Sequence, residues 1–384
     1  MTVYAGLDLH ATNTYVAMID QENKVLYKQR HKNELPTILA ALDPFKEDLK
    51  GVVVESTFNW YWLVDGLMNQ GYLVHLANPS AIKQYEGLKQ IDDRRSSLWL
   101  ANLLRLGILP SGYIYPKEER PTRDLLRKRL QLVRHRTAHI LSVKNILARN
   151  LGLRMPSADV KKLTDAEIKR LFSDKEMQAA VFSSIGLVRH LGDEITKIEK
   201  MVLKKVKIKK EFAKLMTLPG IGIIIALTIM LEVGDVHRFP TVGDYSSYCR
   251  CVKSIRTSAG KVIGHGNRKN GNKYLSWAYV EAAQAARRFH ETVRSYYEKK
   301  MAKTNKIVAV KALSHKLTRA SYYVMRDQVD YDPARLFGQE AREGKAVNQE
   351  PSRPVAKHPS GTLSQHHTKK EVRRRERGGN TIRP

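Results

Sequence analysis

Apolar and polar positions form three short β-prone runs at the start of the chain, 3–10 (VYAGLDLH), 14–20 (TYVAMID) and 25–30 (VLYKQR). Polar or Asn-containing turns separate them, a spacing that predicts an antiparallel three-strand meander. A helical pattern over 35–49 follows, then a strand at 51–56 (GVVVES), a helix around 59–70 and a strand at 72–77 (YLVHLA) ending before Asn78-Pro79. A meander followed by alternating helices and strands predicts a mixed α/β sheet with helices on its faces. GVVVE and YLVHLA are continuously apolar, as strands buried on both faces are, which places them at the sheet's centre.

From about Ser96 the pattern turns helical. Within 121–150, Leu126, Leu130, Val133, Thr137, Ile140 and Lys144 recur at helical spacing, surrounded by Arg123, Arg127, Lys128, Arg129, Arg134 and Arg136. Such a charge run is either a solvated face or a phosphate-contacting one. Val188, Leu191, Ile195, Ile198 and Val202 make a heptad seam over two repeats, which suits a short coiled coil or one face of a bundle. Leu218-Pro-Gly-Ile-Gly222 then punctuates two helical segments. These breaks divide the chain into an α/β domain at 1–150, a helical spacer at 151–210, a mainly helical domain at 211–332 and a basic tail at 333–384. The tail is too poor in large apolar groups to form a core and is expected to be disordered when free.

Charge narrows the function. The chain has 384 residues, of which 67 are Lys or Arg and 38 Asp or Glu, a net charge of +29. Only +7 of this lies in 351–384, so the rest of a chain that is 42% hydrophobic still carries +22. A folded protein with that surplus points to a polyanionic partner, nucleic acid first. The longest apolar run, Ile221 to Leu231, falls short of the ~20 residues a membrane span needs. The opening strand-like pattern is unlike a secretory leader, so the expected location is the cytoplasm. Cys249 and Cys251 are too few for a disulfide framework or a four-ligand zinc site.

Three constellations carry candidate chemistry. Asp8 ends the first strand, Glu55 ends VVVE, and Asp93 stands just before the next helix. If the first and fourth strands are neighbours, their C-terminal ends bring these acids to one edge, where hard oxygen ligands favour Mg2+ or Mn2+. Taken singly, each acid is equally a turn residue, a solvated charge or a helix cap. The second constellation is the LPGIG turn, similar to the hairpin of helix-hairpin-helix modules. There Gly220 and Gly222 let backbone N–H groups approach a phosphate, or simply join two core helices. The third is 248–277, a Gly-rich polar segment read as a loop, whose Arg256, Lys261, Arg268, Lys269 and Lys273 join Arg127 and Arg134 as candidate phosphate contacts. Within it Ser258 is a hydroxyl among cations, a setting that lowers the cost of negative charge on its oxygen.

In their order, GLDLH, VVVES, DDRRSS, LPGIG and SAGK with GNRKNGNKYL resemble the insertion-sequence transposases that join a RuvC-like DEDD domain to a C-terminal serine transposase domain, the bridge-RNA-guided recombinases. The resemblance covers about 3–330. It implies an RNase H-like fold with Asp8, Glu55 and Asp93 as ligands of Mg2+ or Mn2+, and Ser258 as the nucleophile that links to DNA. It also implies donor and target DNA and a guide RNA as partners. The expected assembly is a homo-oligomer, dimer to tetramer, in which one subunit's metal site works with another's serine. The family's fourth acid falls three residues after Asp93, where this chain has Ser96. That departure implies either an impaired recombinase or one whose metal demand is lower because Ser258 is the nucleophile. Two alternatives stand beside recombination: a junction-resolving nuclease, which needs the acidic site but no serine, and, with Ser96 as its supporting feature, a relic that binds nucleic acid without cutting it.

Overall fold

A computed structural model describes residues 1–79, 81–82, 93–206, 208–253, 255–264 and 270–337. The first domain is a five-stranded sheet in the order β3-β2-β1-β4-β5, built from β1 (Val3–Leu9), β2 (Asn13–Asp20), β3 (Val25–Lys32), β4 (Leu49–Glu55) and β5 (Val74–Ala77). β1, β2 and β3 form the antiparallel meander, and β4 and β5 run parallel to β1.

The pleat sorts the two faces. Val3, Ala5, Leu7 and Leu9 of β1 join Val52 and Val54 of β4 against α1 (Leu35–Leu42) and α2 (Tyr61–Asn69). Gly6 and Asp8 point the other way, as do Val53 and Glu55, toward α3 (Asp93–Arg105). β1 therefore holds the sheet's centre with β4 beside it. YLVHLA does not: it supplies β5, an edge strand. Cover along that edge reaches the end of the run, where Gly112 N–H donates to the Leu76 carbonyl (2.6 Å) and Ser111 bridges Ala77, while Leu73 stays 62% exposed. The opposite edge, β3, carries exposed Lys28, Gln29 and Arg30, which discourage further strand pairing. The helix expected over 35–49 stops at Leu42 and gives way to a 3-10 turn at Asp43–Phe45. Pro44 has no N–H with which to continue the helical ladder.

α4 (Arg120–Leu151) and α7 (Lys175–Lys205) are long helices packed antiparallel. Arg129 bonds Glu199, Arg136 lies against Gly192 and Asn150 reaches Met177, so the register runs evenly along the pair. α5 (Ser157–Val160) and α6 (Asp165–Leu171) close its far end over Ile140, Val143 and Leu147. The buried stripe of α4 thus shifts from the expected Thr137 and Lys144 to Val143 and Leu147. The heptad seam of α7 is used within the chain, with Val188, Ile195 and Val202 buried and Leu191 and Ile198 half-buried. α4 also lies inside the stretch assigned from sequence to the α/β domain, although its partner is α7.

The remaining helices are α8 (Lys210–Met216), α9 (Ile223–Val233), α10 (Val242–Tyr248), α11 (Lys273–Phe289), α12 (Glu291–Lys303), α13 (Lys306–Asp327) and α14 (Pro333–Phe337). α9 sits at their centre, and the LPGIG turn joins it to α8. Cys249 and Cys251 are buried, unpaired members of this core. The segment 248–277, expected as a loop, contains regular elements among its described residues. It holds the hairpin β6 (Arg256–Ser258) and β7 (Lys261–Gly264), and its last residues already belong to α11.

Candidate active site

The parallel register pairs Gly6 with Val53 and Leu7 with Val54, so the next residues, Asp8 and Glu55, stand side by side at the C-terminal edge of the sheet. Both project from the α3 face. Asp8 is buried and Glu55 half-buried, and their carboxyls share a hydrogen bond. Burial, then that bond and the negative charge of Asp8, push the Glu55 carboxyl from its ordinary 4.5 up to about 7, and His10 offsets part of the rise. His10 Nε2 lies 3.4 Å from Asp8 Oδ2. The turn after β1 is fixed from two sides, because the side-chain amides of Asn33 (2.9 Å) and Asn59 (3.1 Å) both donate to the His10 carbonyl.

α3, whose first residue is Asp93, packs against this edge of the sheet. Its C-terminal Arg105 donates to the Gln21 carbonyl (2.9 Å), next to Asp20, which pairs with Val3 at the start of β1. Its middle touches β1 at Gly6, where an added Cβ would stand 2.0 Å from the Ser97 carbonyl oxygen and 2.7 Å from the Ala101 nitrogen. The helix therefore runs opposite to β1. From Ser97 back to Asp93 is about 6 Å of helix at 1.5 Å per residue, and from Gly6 on to Asp8 is about 6.6 Å of strand. The start of α3 is thereby carried level with Asp8. Asp93 is the helix's first residue rather than the one before it, and its side chain lies outside the described residues.

Ser258 stands elsewhere, at the tip of an exposed ribbon. It pairs with Lys261 across a two-residue turn in which Ala259 (φ 47°) and Gly260 (φ 75°) are both left-handed. Such turns match the twist of the flanking strands. Serine and lysine emerge together on one face of the ribbon, both exposed.

Two parts of the chain match known families. Residues 213–298 match the family described as Transposase IS116/IS110/IS902 family, and residues 5–150 match the DEDD-type transposase domain of the IS110 group. The chain belongs to the IS110/IS116 transposase family.

Among curated relatives, this transposase is similar to the "Transposase for insertion sequence element IS1111A" of Coxiella burnetii, at 23% identity over 298 residues, covering 73% of this chain and 76% of the relative. It is similar to the "Probable family 20 transposase" of Pseudomonas aeruginosa at 23% over 291 residues, covering 73% and 82%. An IS110 insertion-element protein of Streptomyces coelicolor matches at 25% over 119 residues, 31% of this chain and 29% of that protein. The family makes the transposase an enzyme of DNA transposition that cuts and recombines DNA, with an RNase H-like N-terminal domain. Among the described residues no helix is long and apolar enough to cross a membrane.

Domains of the DEDD type use divalent metal ions, and the acid pair fits one. Two adjacent carboxylates disfavour each other's ionisation, and a hard cation between them would relieve the same repulsion. Among the described residues no three His, Cys, Asp or Glu form a complete set, so the fit rests on Asp8 and Glu55 with α3 aimed at them.

The expected phosphate contacts of the transposase are placed unevenly. Arg127 is engaged with the buried Glu232 of α9 through Nε–Oε1 (2.6 Å) and Nη2–Oε2 (2.7 Å). Gly220 packs on α11, its missing Cβ facing the Ala282 carbonyl at 2.1 Å, whereas Gly222 at the start of α9 has open space. Arg134 is exposed on α4 and, with Lys128 and Lys273, lines an open cavity of about 460 Å³. Lys261 is exposed on β7; Arg256 contributes its backbone to β6; Arg268 and Lys269 lie outside the described residues.

Sequence reasoning did not single out His10, though it closes the GLDLH motif, or Glu232. The latter has a signal: it is a lone carboxylate in the apolar run IIIALTIMLEV. Asn272 ties it to the ribbon's exit, donating to Glu232 (2.7 Å) while its Oδ1 accepts from the Tyr274 (2.8 Å) and Leu275 (3.1 Å) N–H groups at the start of α11.

Proposed function

We propose that the transposase cuts and rejoins donor and target DNA through a covalent Ser258–DNA intermediate, guided by a bridge RNA encoded with its element. Asp8, Glu55 and Asp93 would hold the divalent metal, Mg2+ or Mn2+. The observation that carries this reading is the pair of sites itself: adjacent Asp8 and Glu55 at one edge of the sheet, and an exposed hydroxyl presented beside Lys261 on a separate ribbon. In the cutting step the Ser258 Oγ–P bond forms as the hydroxyl releases its proton. The bond from phosphorus to the leaving sugar oxygen breaks, and that oxygen takes up a proton. Rejoining is the reverse attack by a new sugar hydroxyl. The metal supplies positive charge for the phosphate oxygens. Lys261 and the neighbouring cations hold the strand, and the acid edge of one subunit serves the serine of another in a dimer or tetramer.

The test is a denaturing-gel assay with purified protein, RNA transcribed from the element's flanks, Mg2+ and labelled donor and target DNA. A slow-migrating protein–DNA species that disappears in Ser258→Ala is expected. Hydrolysis unaffected by Ser258→Ala would replace this reading with a junction-type nuclease. Ser96, which leaves the site one carboxylate short, favours a second reading, a transposase that binds without cutting. In that case no adduct forms until Ser96→Asp restores it.

A further inference from the structure

The ribbon that presents Ser258 has no apolar partner of its own. β6 and β7 pair Ser258 with Lys261, Thr257 with Val262, and Arg256 with Gly264, which leaves Ile263 as the extra residue of a bulge. Val262 is 62% exposed, Ile263 66%, and Ile255, just before β6, 46%. None of the three enters a hydrophobic cluster among the described residues. A two-stranded ribbon is marginal in water without cover, so branched apolar residues on it point to something that covers them.

Charge identifies the occupant. From Tyr245 to Val280 the sequence has seven Lys or Arg and no Asp or Glu. A second copy offering the same face about a two-fold axis would bring like charges together. A polyanion would not. A two-stranded ribbon can enter the major or the minor groove of B-form DNA, whereas the deep, narrow major groove of A-form RNA excludes side chains. Apolar side chains that enter duplex DNA part the stacked bases and bend it.

We propose that Val262 and Ile263 form an apolar wedge that enters duplex DNA and unstacks a base step next to the phosphate offered to Ser258. This rests on the reading of Ser258 as the nucleophile. The pleat sets the division of labour, with Ser258 and Lys261 on one face of the ribbon for the backbone and Val262 on the other for the bases. The two-residue turn keeps the two faces within one residue of each other.

The experiment uses the full-length chain carrying Ser258→Ala, so that DNA stays uncut, with the flanking RNA transcript and donor-junction duplexes in which 2-aminopurine is moved through successive positions. A several-fold rise in fluorescence is expected at one or two adjacent positions. It should vanish when Val262→Thr and Ile263→Thr are added, because threonine keeps the β-branched shape the ribbon needs but is not apolar enough to replace a stacked base. An abasic site at the brightened position should restore the DNA affinity lost by the threonine variant. The proposal is overturned if no position brightens or if the threonine variant brightens equally. It is also overturned if the threonine changes alter only self-association in sedimentation, since the face would then belong to a second copy. Brightening without any Ser258-dependent adduct in the unmodified chain would remove the nucleophile reading and leave the wedge.

Discussion

Replacing Gly6 with alanine tests whether the approach of α3 to β1 sets the metal site. The new Cβ would stand 2.0 Å from the Ser97 carbonyl oxygen and 2.7 Å from the Ala101 nitrogen, both backbone atoms of α3 that cannot rotate away. Relief to the ~3 Å that real side chains tolerate requires α3 to retreat by about 1 Å, and Asp93 begins that helix. Overpacking of this kind costs about 1–3 kcal/mol, which a chain of this size survives. A displacement of about 1 Å in a catalytic group, however, costs about 100-fold in rate. Single-turnover cleavage at saturating Mg2+ should therefore fall about 100-fold in Gly6→Ala while the protein remains folded. Gly51→Ala is the control. It lies on the adjacent strand, and its Cβ would meet the movable His75 ring at 3.0 Å. It should lower stability yet leave cleavage within a few-fold of the parent. Wild-type cleavage by folded Gly6→Ala would refute the idea that this contact positions the third acid.

Three more perturbations follow from the geometry. Arg127→Ala leaves the Glu232 carboxylate buried with Asn272 as its remaining side-chain donor and should cost about 3–5 kcal/mol in denaturant unfolding, whereas the pair Arg127→Met with Glu232→Leu removes both charges, takes the acceptor from the Asn272 amide and should cost only about 1–3 kcal/mol; equal losses would sink this account. Glu55 keeps its proton up to about pH 7 in the metal-free fold but only to about 4.5 when unfolded, so its contribution to stability is complete below 4.5 and fades as pH rises through 7. Mg2+ takes the proton's place, so its stabilising effect on thermal unfolding should be larger at pH 8 than at pH 6, and Glu55→Gln should flatten that difference. Gly220→Ala meets the Ala282 carbonyl at 2.1 Å with a left-handed φ of 76° and should unfold the C-terminal core, while Gly222→Ala should fold normally; a drop in DNA affinity of Gly222→Ala would mark a backbone phosphate contact there, and unchanged affinity would remove it.

The acid edge was legible because β-strand burial leaves a coarse signature. GVVVE has to lie inside a sheet, and strands that end in Asp8 and Glu55 have few ways to pair. YLVHLA misled about its place because its edge position leaves Leu73 exposed while cover from 110–112 still buries Leu76 and Ala77, and an apolar run does not say which of its members is covered. Arg127 was read as a phosphate contact because its counter-charge sits 105 residues away, on a helix whose apolar pattern hides a single carboxylate. The ribbon at 256–264 was read as a loop because its turn is Ala259-Gly260, without the Asn or Asp that usually announces two left-handed residues. Long-range charge pairing and unusual turn chemistry are properties of the folded chain, and neither has a periodicity to read.

The first turns of α4 carry an alignment that depends on angle. Arg120 holds Asp65 of α2 through two 2.8 Å bonds, Arg123 lies 3.7 Å over Tyr115 and bonds Tyr61, and Arg127 holds Glu232 of α9. One insertion between Arg120 and Arg127 would rotate everything after it by 100°, turning Arg127 away from α9 while Arg120 kept its grip on α2. The orientation of the acid edge relative to the serine ribbon is thus written as the phase of a single helix. The far end of the α4–α7 hairpin can change length over evolutionary time, but these eight residues can only be substituted.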